Sequence, residues 1–232
     1  MPLSHDESLL DACNISRRLE NGPSWLLHAV SCRLWPGDRV AVTGPSGGGK
    51  TVLLRALVWL DPFNTGHLLW KGAPLLGRDT PSFRRQVIYL HQQPVLLDGT
   101  VEHNLRQPYS LQMHSDTQYD RQRTITRLEQ MGRQADFLDL PTRTLSGGES
   151  QIVAVLRAVQ LEPVVLLLDE PTAALDEHGT RAVEQTVLGW QAENPAQRAF
   201  VWVSHDAQQA RRVAIRFWHI DQGHLKERSS EP

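Results

Sequence analysis

Cysteine is nearly absent: 232 residues hold two, Cys13 and Cys32, and neither sits in a CxxC pair or a metal-ligand cluster. A disulfide framework and a thiolate metal site are excluded on that ground, and a reduced, cytosolic setting is expected. Long apolar runs are missing too. The run Val164-Val165-Leu166-Leu167-Leu168 is strand length, far short of the roughly 20 residues that cross a bilayer. The first residues, Met1-Pro2-Leu3-Ser4-His5-Asp6-Glu7, lack the basic start and apolar stretch of a secretory signal. Nor is there an excess of either charge: 24 Lys and Arg stand against 26 Asp and Glu, a net charge of −2. A surface for DNA or RNA is disfavoured accordingly, and no nucleic-acid partner is expected.

What is present is an ordinary globular composition, 40% hydrophobic and 22% charged. The length suits one sizeable domain, 1–232, and not two. Residues 9–15, then Val30, Cys32 and Leu34 in alternation, then Val40-Ala41-Val42 read as strands. A helix is expected over 50–59, stopped at Asp61-Pro62. A short hairpin over 67–75 and a second core strand, Val87-Ile88-Tyr89-Leu90, follow. From 105 to 143 the chain turns polar and reads as a helical insertion. A helix over 146–160, a strand over 164–168, a helix over 177–193, a strand over 200–203, a helix over 207–213 and a hairpin at Gln222-Gly223 complete the pattern. Strands alternating with helices imply right-handed crossovers and a parallel sheet. The expected division is a β region and nucleotide-binding core over 1–92, an inserted segment over 93–145, a returning core over 146–226 and a disordered tail over 227–232.

Gly44-Pro45-Ser46-Gly47-Gly48-Gly49-Lys50-Thr51 fits GxxxxGK[ST] between a strand and a helix. The glycines let successive backbone N–H groups turn toward phosphate oxygens, and the helix N-terminus adds a favourable dipole. Lys50 is expected at the β and γ phosphates and Thr51 on Mg²⁺. The motif does not separate a kinase, a GTPase and a transporter ATPase. Asp169-Glu170 closes the buried strand, at the end where open α/β sheets place ligands. Asp169 suits Mg²⁺, and Glu170, pointing elsewhere, suits a base that aligns and deprotonates water.

Leu145-Ser146-Gly147-Gly148-Glu149 matches the LSGGE signature of ATP-binding cassette (ABC) ATPases, although SxxE is also a plain helix capping box. Order decides between them, and the chain is identified as a member of that family over nearly its whole length. The resemblance implies an α/β fold with a P-loop NTPase core, a mostly parallel sheet, an N-terminal antiparallel β subdomain and an inserted α-helical subdomain. It implies ATP and Mg²⁺ as ligands. Gln92, before Gln93-Pro94, matches the glutamine loop that touches Mg²⁺ and the attacking water. Asp176 in Ala174-Leu175-Asp176 matches the D-loop, and His205 in Ser204-His205-Asp206 matches the histidine that contacts the γ-phosphate. Two copies are expected to pack head to tail, so that Ser146, Gly147 and Gly148 of one close over the triphosphate on the other.

The resemblance further implies a membrane subunit docking along the run from Pro94 through Val95, Leu96 and Leu97 to Leu105. It places the chain on the cytoplasmic face of the inner membrane. The run PVLLDGTVEHNL and the compact length most resemble small bacterial cassettes linked to iron export. A non-transport cassette acting on nucleic acid or ribosomes is the alternative. The short interval from Gly44 to Asp169 leaves no room for the long coiled coil of chromosome-structure members. Two departures stand out. Leu19 occupies the position where members carry an aromatic ring that stacks on adenine, with Trp25 as a neighbouring ring that is either a substitute or an ordinary half-buried aromatic. Gln151-Ile152 stands where Gln-Arg is common.

Overall fold

The apolar runs of Val, Leu and Phe form the centre of the molecule, because only a strand covered on both faces can bury every side chain. In the computed structural model, which describes residues 7–19, 22 and 24–228, β7 (Val165–Asp169) and β8 (Ala199–Val203) are buried at every position. They lie in a sheet with β3 (Arg39–Thr43), β6 (Val87–Leu90), β9 (Arg216–Asp221) and β10 (His224–Arg228), in the order β10-β9-β3-β8-β7-β6. Pairing is parallel except at the β9–β10 edge. A second, antiparallel sheet has the order β2-β1-β4-β5, with β1 (Leu10–Arg18), β2 (Trp25–Leu34), β4 (Thr65–Trp70) and β5 (Ala73–Pro74).

Alternation along the strands divides the core in two. Val165, Leu167, Val201 and Val203 face α1 (Lys50–Leu57) and the antiparallel sheet. Leu166, Leu168, Phe200 and Trp202 face α5 (Gly147–Val159), α6 (Glu177–Glu193) and α7 (Ala207–Val213). The same second cluster includes Val101 and Leu105 of α3 (Val101–Arg106) and Leu128 of α4 (Arg121–Gln130).

Three expectations need correction. The stretch from 105 to 143 is α-helical only in α3 and α4, the rest being short 3-10 turns joined by irregular chain. Pro108 and Pro141 sit at the starts of two of those turns and Gly132 takes φ 72°, so no longer helix can run through. Helix α1 stops at Leu57, before the expected 59, because Trp59 is left-handed at φ 54°. The expected disordered tail begins too early: Glu227 and Arg228 belong to β10, and residues 229–232 lie outside the described residues.

Ion pairs fasten the inserted stretch to the sheet. Glu162, in the turn between α5 and β7, receives Arg123 at 2.7 Å and Arg127 at 2.9 Å from α4, and Arg198 from just before β8. At the other end Asp61 pairs with Arg55 of α1 through two hydrogen bonds of 2.8 and 2.7 Å, and with Arg17 of β1.

The Arg55 hydrogen bond, with Arg17 adding to it, holds the Asp61 carboxyl down at about 2 against an ordinary 3.8. A depressed carboxyl contributes its full stability above the unfolded value and loses it as pH falls toward the folded one. Asp61→Asn is therefore expected to be less stable than the parent at neutral pH and to show a flatter loss of stability between pH 3.8 and about 2. Urea unfolding across that range, followed by circular dichroism, checks it; parallel slopes for the two proteins would count against the pairing.

Candidate functional site

Register brings the polar residues together. Asp169 lies opposite Val203, Val203 opposite no more than the next strand's Val42, and Leu168 opposite Leu90. The strands β3, β8, β7 and β6 thus end level with one another. The residues that follow, Gly44, His205, Glu170 and Gln92, emerge on one edge of the sheet.

The turn after β3 is a tight glycine loop. Gly44, Gly47 and Gly49 have φ of 143°, 76° and 110°, a region L side chains rarely enter. A methyl group at Gly44 would stand 1.9 Å from the Ile220 carbonyl oxygen, and one at Gly49 would stand 2.9 Å from that of Leu26. The loop is also stitched from outside: Gly223 N–H donates to Gly48 O at 3.1 Å, and His28 N–H donates to Gly223 O at 2.9 Å. Pro45, Ser46 and Gly47 remain exposed. Lys50, 6% exposed, donates from Nζ to Gly44 O and Pro45 O at 2.9 Å each. An ammonium has three donors, so one is left to reach a ligand. Burial lowers the Lys50 pKa, with Glu170 and then Asp169 opposing it. Thr51 is exposed on the first turn of α1.

Asp169 is 1% exposed and accepts the Tyr89 hydroxyl on Oδ2 at 3.0 Å. Burial, with the Asp169 charge beside it, pushes the Tyr89 pKa up, so the phenol stays a donor. Glu170 is left-handed at φ 48°, a conformation that costs of order 1–3 kcal/mol and persists only where surroundings enforce it. Both of its carboxylate oxygens are engaged. Gln92 Nε2 donates to Oε2 at 2.9 Å, and His205 Nε2 lies 2.6 Å from Oε1. A cavity of about 300 Å³ opens beside the pair, between the turns after β7 and β8. The structure therefore brings Gln92, Glu170 and His205 into direct contact, with Glu170 next in the chain to Asp169 and close enough for its charge to act on Lys50.

Ser146, Gly147 and Gly148 lie elsewhere, at the N-terminus of α5. The capping box is formed: Ser146 N–H and Oγ both donate to Glu149 Oε2 at 2.9 Å, and Glu149 N–H donates to Ser146 Oγ at 3.2 Å. Ser146 and Gly147 are exposed, and Gly148 abuts the Ala174 carbonyl, where a methyl group would come within 2.9 Å. Asp176 caps α6, accepting Gly179 N–H at 2.7 Å. The signature and the 174–176 turn thus pack on each other. Gln151 and Ile152 are both 1% exposed, and Ile152 fills the core.

Leu19 is 48% exposed and carries no ring. Trp25 is half-buried, with the Arg18 guanidinium 4.4 Å above it and His28 edge-on at 5.3 Å. Sequence reasoning missed two supports of the site. Tyr89 could have been suspected, since a half-buried phenol needs an acceptor; the Gly223 turn that props the glycine loop left no sequence signal of that role.

The donors fit a hard cation that brings ligands of its own. Among the described residues no cluster of three or more His, Cys, Asp or Glu could hold a metal alone. The Thr51 hydroxyl, the Asp169 carboxylate and the Gln92 amide oxygen are the oxygen donors that suit Mg²⁺ shared with a substrate's phosphates.

The family model described as ABC transporter matches residues 27–173. The chain is 35% identical over 86% of its length to "Protein STAR1" of Oryza sativa subsp. japonica, of whose length it spans only 56%. It is 34% identical to the "Probable iron export ATP-binding protein FetA" of Escherichia coli (strain K12), covering 80% of each chain. A solved dimeric ATP-binding cassette in a post-hydrolysis state, bound to ADP and Pi, has a TM-score of 0.81 at 24% identity, over 94% of this chain and 98% of that one.

Gly44 and Gly47 separate steric clash from backbone strain. Gly47→Ala meets nothing within 4 Å and should cost only the left-handed penalty of about 1–2 kcal/mol. Gly44→Ala should cost more and abolish binding of a fluorescent ATP analogue. Thermal melts and analogue titrations of the two variants check this; equal behaviour would contradict the loop geometry.

Proposed function

We propose that this chain, which belongs to the ABC transporter family and is an ATPase of that family, drives transport through a separate membrane subunit. The observation that carries the hydrolytic part is the Glu170 carboxylate, gripped by Gln92 and His205 beside the glycine loop. In this reading the triphosphate lies along Gly44, Pro45, Ser46, Gly47, Gly48 and Gly49, with the free donor of Lys50 on its β and γ oxygens. Thr51, Asp169 and Gln92 hold Mg²⁺, which when bound neutralises charge on the transferring phosphoryl group. Glu170 aligns a water and accepts its proton. Each Glu170 oxygen keeps a second lone pair beside the partner it already has, so the carboxylate can take a water's proton while Gln92 and His205 hold it in place. His205 Nε2 is the group that a γ-phosphate oxygen would meet.

Ser146, Gly147 and Gly148 have no part in their own glycine loop. The exposure of Ser146 and Gly147 at the N-terminus of a thirteen-residue helix, where N–H groups favour anions, supports a head-to-tail pair in which the three cover the triphosphate of a second copy. Asp176, packed with them through the 174–176 turn, joins the same interface. An isologous pair has the commonest oligomer symmetry.

The membrane partner is assigned to the loop after Gln92. Val95 is 77% exposed and Leu97 45% exposed, while Leu96 turns inward against the core. The loop is held rigid. Asn104, fully buried, accepts Leu97 N–H at 2.8 Å and donates to Leu97 O at 2.9 Å and Thr100 O at 3.0 Å. Arg157 of α5 donates to Val95 O at 3.0 Å. Two apolar side chains presented on a fixed backbone suit a partner helix. No helix among the described residues is long and apolar enough to cross a membrane, which fits a peripheral subunit on the cytoplasmic face. Iron export is the cargo we favour, on the likeness to the Escherichia coli relative of that name.

Glu170→Gln should retain ATP while turnover falls by on the order of a hundredfold or more, read as phosphate release and nucleotide retention; turnover near the parent's would remove Glu170 as the base. Affinity purification from native membranes should recover an integral membrane protein with the parent chain and lose it with Val95→Asp and Leu97→Asp together. Recovery of ribosomes, DNA or soluble proteins alone would overturn the transport reading.

A further inference from the structure

The turns that carry Glu170 and His205 come from different strands, yet the two side chains meet at 2.6 Å. Something has to hold those turns at a fixed spacing. Gln209, on α7 and 5% exposed, touches both. Its Oε1 accepts Ser204 Oγ–H at 2.8 Å and the Trp202 indole N–H at 3.3 Å. Its Nε2 donates to Thr172 Oγ1 at 3.0 Å and to Glu184 Oε1 at 3.1 Å. Thr172 lies two residues after Glu170, and Ser204 directly precedes His205.

A carboxamide offers two N–H donors and one oxygen with two lone pairs, and here all four are used. The amide cannot be turned over. An indole N–H only donates, so it must meet the oxygen, and a carboxylate only accepts, so it must meet the nitrogen. Glu184 is itself fixed. It is 3% exposed and takes a two-pronged contact from Arg212, at 3.1 and 2.7 Å. Ser204 is fixed likewise, since its Oγ also accepts Asp206 N–H at 3.0 Å. A chain of bonds runs from Arg212 through Glu184 to Gln209 and divides there, one branch to the turn behind Glu170 and one to the turn before His205.

We infer that Gln209 is a positioning residue for hydrolysis: its carboxamide clamps the turns after β7 and β8 and so sets the approach of His205 to Glu170. It touches neither reacting group and acts through Thr172 and Ser204. The inference rests on the reading of Glu170 and His205 as the hydrolytic pair. A buried amide with four partners is the rigid kind of support that a reactive pair needs, because small misplacements of such groups cost large factors in rate. The glycine loop, on β3 and α1, makes none of these bonds, so the hold on the triphosphate at that loop and Lys50 does not depend on them; only the His205 contact does.

Gln209→Met keeps the length of the side chain and removes all four bonds. In the full chain it should lower kcat about tenfold or more, with KM for ATP within about twofold of the parent's, and broaden or double the His205 ring signals in ¹⁵N spectra of the ligand-free protein. Arg212→Met weakens Glu184 from its far side and removes a charge near Asp206, but it leaves the bonds of Gln209 to Thr172 and Ser204 in place; it should lower kcat much less. Parent-like kcat in Gln209→Met, or an equal fall in Arg212→Met, overturns the inference. Should Gln209→Met not fold, an exchange decides. Gln209→Glu alone sets two carboxylates together, and adding Glu184→Gln restores a donor between them, so kcat should recover at least about fivefold. No recovery overturns the inference. Glu170→Gln in the same assay keeps the two readings apart. If it abolishes turnover while Gln209→Met does not, only the clamp falls; if it retains turnover, the hydrolytic assignment falls.

Discussion

The level ending of four parallel strands is the constraint on which the rest depends. A parallel ladder fixes register evenly along its length, and a slip of one residue in β7 would turn Asp169 and the core leucines to the opposite face. With β3, β8, β7 and β6 in register, a glycine loop, a histidine, two carboxylates and a glutamine arrive at one edge, and the bonds of Tyr89, Gly223 and Gln209 then hold them there. The apolar core thus supplies the placement of a polar site. The antiparallel sheet and α1 cover one face and the remaining helices the other, and of these layers only the first turn of α1, with Lys50 and Thr51, reaches the site.

Much of this was legible in the sequence because it is local. The GxxxxGK[ST] run, Asp169-Glu170 after five apolar residues, and the SxxE start of α5 each declare a strand end or a helix start within a few positions. The bounds of α6 and α7 follow from caps at Asp176 and Asp206. Where the reading failed, the cause was local chemistry of lower visibility. Proline and glycine broke the inserted stretch into turns, and a left-handed Trp59 ended α1 early.

What the sequence could not disclose was support across long separations. Tyr89 reaches Asp169 across 80 positions and Gln209 reaches Thr172 across 37. A glutamine in a short helix and a tyrosine in a strand carry no pattern that names their partners. Leu96 shows the same limit at close range: three apolar residues in a row do not say which of them turns inward, and only the packing against the core decides it.

The three bonds that Asn104 makes to the 97–100 backbone have a kinetic consequence. A loop already held in one shape loses little conformational freedom when a partner arrives, so nearly all the contact energy remains available for association. Two side chains of modest area then suffice, encounter needs no refolding step, and strain arising in the loop is passed to α3 through the same bonds, and to α5 through Arg157, instead of being absorbed as local motion.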